Sequence, residues 1–99
     1  MDLKLQDKVF IVTGGAKGIG EGIVRQLAAE GAIPVIVGRA QHEGEQLAQE
    51  IRQAGGEALA ITIELGTPES CEEVVQQTFS KYHRIDGLVN NAGANDGVG

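Results

Sequence analysis

Thr13-Gly14-Gly15-Ala16-Lys17-Gly18-Ile19-Gly20 follows directly on the apolar run Val9-Phe10-Ile11-Val12 and leads into a segment with Ile19, Ile23 and Leu27 on one face. A buried strand that passes through a glycine-rich turn into a helix start is a device for holding phosphate. Glycine lets the backbone turn tightly and come close to a ligand, and the unpaired N–H groups of the first helical turn point at an anion. By itself such a loop says only that something phosphorylated binds.

Outward from it, strand and helix patterns alternate without a break. The spacing predicts strands over 8–13, 33–38, 57–63 and 85–90, and helices over 19–30, 42–54 and 68–82. Gly31 closes the first helix and Gly55-Gly56 the second, while Thr67 caps the third with Pro68 in its first turn. The third helix is expected to bury Cys71, Val74, Val75, Phe79 and Tyr82, with Cys71 as a small apolar filler. The second, with only Leu47, Ile51 and alanines to offer, is expected to be the most solvated. The first two strands are near-continuous apolar runs, as parallel strands covered on both faces are. Pro34 falls near the start of the second, where a lost ladder donor is tolerated. Right-handed crossovers then give an α/β, Rossmann-like doubly wound parallel sheet of strand order 3-2-1-4.

The bulk properties exclude several classes. Ninety-nine residues make one domain at most, and the net charge of −6 without a basic run argues against a nucleic-acid partner. Cys71 is the single cysteine, so neither an intrachain disulfide nor a cysteine-based zinc site can form. His42 and His83 lack metal-ligand spacing and read as surface residues. No apolar stretch approaches the ~18–20 residues needed to span a bilayer, and the reading is a soluble cytoplasmic protein. The last residues, Gly97-Val98-Gly99, fall in a loop just after the fourth strand and would leave that strand as an exposed edge. The expectation is therefore a fragment, residues 1–99 being the N-terminal part of a single dinucleotide-binding domain truncated after strand 4.

Thr13-Gly14 … Gly18-Ile19-Gly20 resembles the TGxxxGxG loop of the short-chain dehydrogenase/reductase family, and Asn90-Asn91-Ala92-Gly93 resembles that family's NNAG motif. The resemblance runs from Asp7 onward. Other loops do not fit: a P-loop needs Gly-Lys-Ser/Thr where Glu21 follows Gly20, and a GxGxxG begun at Gly18 needs glycine at Ile23. The resemblance implies a nicotinamide dinucleotide held by Gly14, Gly15, Lys17, Gly18, Ile19 and Gly20. It places Glu64 and Leu65 beside the adenine, with glutamate where the family usually has aspartate. Asn91, Ala92 and Gly93 fall towards the ribose and nicotinamide, while Asn90 braces the sheet.

The end of the second strand bears on which dinucleotide binds. In NAD-binding relatives a carboxylate about 20 residues past the loop accepts from the ribose hydroxyls. Here that position is Gly38, followed by Arg39, and Lys17 adds a cation. Glycine leaves room and a guanidinium can grip a 2′-phosphate with paired N–H bonds. NADP is expected, with NAD as the alternative; otherwise Arg39 and Lys17 are two ordinary solvated cations.

The family's active site uses a serine, a Tyr-x-x-x-Lys pair and an asparagine from its fourth helix. Tyr82 is the only tyrosine and Asp86 stands four residues on, so no catalytic group is assigned here. The expected function is dinucleotide binding within an NADP(H)-dependent oxidoreductase that interconverts a small-molecule alcohol and a carbonyl, in a homo-oligomeric parent. The stretch Asn91–Gly99 is similar to members oxidising sugars such as fucose. Two alternatives remain open: a complete non-catalytic dinucleotide-binding or regulatory module, and a methyltransferase-like nucleoside binder. The latter shares the glycine turn but has no use for the asparagine tetrad.

Overall fold

The computed structural model describes residues 3–91. After a single 3₁₀ turn at Leu3–Leu5 come β1 (Val9–Thr13), α1 (Gly18–Ala29), β2 (Ile33–Gly38), α2 (Gln41–Gln53), β3 (Leu59–Thr62), α3 (Pro68–Tyr82) and β4 (Gly87–Asn90). The four strands form one parallel sheet ordered β3-β2-β1-β4, the expected Rossmann-like arrangement.

Alternation along the strands divides the core in two. Val12 of β1 and Ile36 of β2 face one side, where they meet Val24 of α1 and Leu47, Ala48 and Ile51 of α2. Val9, Ile11, Val35, Val37 and Ile61 face the other and pack on Val74 of α3. Each of these strand residues is buried because helices cover both faces, which explains why β1 and β2 read as near-unbroken apolar runs. In register, Phe10 lies opposite Gly87. A Cβ at Gly87 would press against the Phe10 ring, so the small residue makes room for its large neighbour.

Three expectations about burial need correction. The helix α2 is not the most solvated: it buries Gly44, Leu47, Ala48 and Ile51, more than either other helix. In α3 the buried line is Val74 and Thr78, with Tyr82 half-buried, while Cys71, Val75 and Phe79 are exposed. A helix advances 100° per residue, so positions 74, 78 and 82 stack towards the sheet while 71, 75 and 79 lie one step round. Thr78 fits a core line because its hydroxyl donates to the Val74 carbonyl at 2.7 Å. In α1, Ile23 and Leu27 are partly buried around Val24, but Ile19 is 69% exposed.

The ends of the elements explain smaller shifts. Both β3 and β4 begin two residues later than the spacing predicts, and side-chain bonds anchor the chain just before each. Arg52 donates from Nε and Nη2 to the Ala58 carbonyl, and the Asp86 carboxylate accepts the Val9 N–H at 2.8 Å. The Thr67 cap is present as a reciprocal box with Ser70, and Pro68 occupies the first turn. Gly31 and Gly55 follow their helices with φ of 87° and 98°.

Candidate dinucleotide-binding site

The glycine turn starts where β1 ends. Gly14 leaves Thr13 with φ 66° and donates its N–H to the Val37 carbonyl at 2.8 Å, fastening the turn to β2. The chain then reaches Lys17, the residue before α1, which supplies no side-chain cap. The first helical bond of α1 runs from the Glu21 N–H to the Lys17 carbonyl at 3.2 Å. Among the described residues, no backbone acceptor takes the N–H groups of Gly18, Ile19 or Gly20. These are the donors that a helix N-terminus offers to an anion.

Gly20 is fixed by close approach. A Cβ there would collide with the Gly14 carbonyl and lie 2.8 Å from Asn91 Nδ2. The helix can therefore sit on the turn only with hydrogen at this position. Gly15 serves packing instead. It is buried, and a Cβ would come 3.0 Å from Val24 and 3.2 Å from the Val12 carbonyl. It seats helix against strand and does not line the cleft.

That cleft, about 540 Å³, opens at the carboxyl ends of β1, β2 and β3. Its size falls within the about 300–1,000 Å³ usual for small-molecule sites. It brings together Gly14, Lys17, Gly38, Arg39, Glu64 and Leu65, six residues that sequence singled out from three separate loops. Gly38 is open: a Cβ there would meet nothing within 4 Å. Arg39 and Glu64 are exposed, and Leu65 is half-buried against the α3-side core. Gly18, Ile19 and Gly20 lie at the α1 end of the turn, outside the cleft lining. Ala92, Gly93 and the tail through Gly99 lie outside the described residues.

The two asparagines divide their roles through Thr13. The Thr13 hydroxyl donates to Asn90 Oδ1 and accepts the Asn91 N–H, each at 3.0 Å, tying the ends of β1 and β4 together. Asn91 is only 7% exposed, and its buried Nδ2 has no hydrogen-bond acceptor among the described residues. An unspent buried donor beside the glycine turn fits a polar ligand, since leaving it unmatched costs about 1–3 kcal/mol.

Sequence reading missed Glu43. It stands in the first turn of α2, and its carboxylate lies 3.8 Å from Lys17 Nζ. Its proximity to Lys17 depends on how α2 crosses the sheet; only its place four residues past Arg39 was visible beforehand. Both histidines are exposed, as expected; His83 ends α3 in the left-handed region with φ 62° and meets Phe79 edge-on. Among the described residues there is no group of three His, Cys, Asp or Glu side chains placed to hold a metal, and no helix long and apolar enough to cross a membrane.

A strand-turn-helix that frees three amides, a cleft at a parallel sheet's carboxyl edge and an asparagine pair bound to the first strand define a dinucleotide-binding domain of the Rossmann kind. Residues 8–98 match the short chain dehydrogenase family, and the chain belongs to it. It is 40% identical over 93 residues to the short-chain dehydrogenase/reductase FrzI of Cladobotryum sp, covering 93% of this chain and 36% of that protein. Among solved structures, the Cj0485 dehydrogenase shares 42% identity with a TM-score of 0.81, over 92% of this chain and 34% of that one. A metagenomic short-chain oxidoreductase in complex with NADP shares 31% identity with a TM-score of 0.78, over 85% of this chain and 38% of that one. The chain thus spans about a third of the length of the relatives it matches.

Proposed function

We propose that the protein binds NADP(H) as the cofactor-holding part of an oxidoreductase that interconverts an alcohol and a carbonyl. The observation that carries this is the glycine turn, whose freed helix amides sit beside a cleft edged by Lys17, an open Gly38 and Arg39. The bound nicotinamide supplies a site that accepts or gives hydride. In this reading Gly14 and the amides of Gly18, Ile19 and Gly20 take the diphosphate. Arg39 and Lys17 hold the 2′-phosphate, and Glu64 accepts from the adenine amino group with Leu65 against the ring. Asn91 spends its buried Nδ2 on the cofactor, with Ala92 and Gly93 beside the nicotinamide half. The family likeness and the NADP-bound neighbour support the assignment.

Calorimetric titration with NADP and NAD tests it. NADP is expected to bind more tightly, and Arg39→Ala is expected to cost it about tenfold while leaving NAD within about twofold. Equal affinities that Arg39→Ala leaves unchanged would refute the NADP assignment. A second reading is a binding or regulatory module without turnover. Assaying NADP reduction against alcohols and aldoses, fucose included, separates the two and tests the sugar-type substrate suggested by the stretch after Asn91. The same reading puts the protein in the cytoplasm and its parent in a homo-oligomer, which fractionation and size-exclusion chromatography check.

A further inference from the structure

Glu43 lies outside the set of residues assigned to the cofactor, yet its carboxylate reaches the cation at the mouth of the cleft. Its Oε2 stands 3.8 Å from Lys17 Nζ, and the neighbouring Ala40 and Gly44 line the cleft with Arg39. The two side chains are 48% and 70% exposed, so the pair contributes little to the fold. Nor does Glu43 serve as a hydrogen-bonding cap partner: Ala40, the residue before α2, makes no side-chain cap. A negative charge held against one of two cations beside an anion subsite has a definite consequence. Any phosphate that recruits Lys17 must compete with Glu43 and is repelled by it, whereas a ribose hydroxyl feels neither effect.

We propose that Glu43 is a specificity-determining residue, which occupies Lys17 and so holds down the preference for NADP over NAD. This rests on the cofactor reading above. Glu43 acts through Lys17 and is a positioning residue; Arg39 remains the direct phosphate partner. The charge spacing makes the effect a few-fold one, because both groups face solvent and are screened by salt.

The test is titration of the intact protein and its Glu43→Gln and Glu43→Asp variants with NADP and with NAD, at about 50 mM and about 500 mM salt. Glu43→Gln is expected to tighten NADP about fivefold at low salt, with NAD changed by less than about twofold and the gain shrinking at high salt. Glu43→Asp keeps the charge and is expected to restore the parent ratio, and the melting temperatures of all three should coincide. If Glu43→Gln moves both dinucleotides equally, or neither, the inference is overturned while the cofactor reading stands. If the parent protein binds neither dinucleotide saturably, the cofactor reading fails and takes this inference with it.

Discussion

At the residue scale, Gly20 and Thr13 show how little chemistry sets the site. Hydrogen at Gly20 is what permits α1 to rest on the Gly14 carbonyl, so Gly20→Ala forces helix and turn apart. It is expected to cost about 1–3 kcal/mol of stability and to abolish dinucleotide binding, read by chemical denaturation and by titration. Thr13→Val keeps the shape of the β1 end but removes the hydroxyl shared by Asn90 and Asn91. A loss of about 1–2 kcal/mol is expected, since the Asn91 N–H is left unmatched in a buried place. Gly38 gives the converse case. Because a side chain there meets open space, Gly38→Asp should leave the melting temperature nearly unchanged while shifting preference from NADP to NAD.

At the scale of elements, the sheet is secured by side chains placed where the ladder runs out. Asp86 accepts the Val9 N–H while Arg84 donates to its carboxylate, and these two partners, Arg84 first, hold its pKa at about 2. A carboxylate whose folded pKa is depressed stabilises the fold above its unfolded value, about 3.9, and loses that contribution as pH falls towards its folded value. Asp86→Asn should therefore melt below the parent at neutral pH, with the difference narrowing between about pH 4 and about pH 2. Tyr82 behaves in the opposite sense. Burial first, then its hydrogen bond to Glu57 at 2.7 Å, pushes the phenol well above its usual range. Its contribution is complete below the ordinary tyrosine pKa, about 10, and declines above it. A phenolate absorbance titration of the folded protein should show no ionisation up to about pH 11. The helix α3 offers a contrast in packing: Val74→Ala should cost about 1–3 kcal/mol, and Phe79→Ala less than about 1. The first side chain is 4% exposed and the second 53%.

At the scale of the molecule, the cleft exists because three crossovers of one hand bring three loops to one edge of the sheet. Residues 14, 38 and 64, far apart along the chain, meet there for no other reason. Strand order, parallel pairing, the Thr67 cap and the glycine stops were all legible in sequence, since each depends on local pattern and on the handedness of L-residues. The face that α3 turns to the sheet was not. Val75 and Phe79 are as apolar as Val74, and hydropathy cannot tell which of two adjacent stripes a neighbouring surface covers.

Element order, sheet topology and the glycine turn's candidacy were already written in the chain, because periods of two and 3.6, and the conformations open to glycine and proline, are properties of short stretches. Folding alone reveals that Gly20 is required by a carbonyl packed against it, that Asn91 keeps a buried donor unspent among the described residues, and that Glu43 faces Lys17. Those are distances between residues remote in the chain, and they are set by how helices lie across the sheet, which local pattern does not encode.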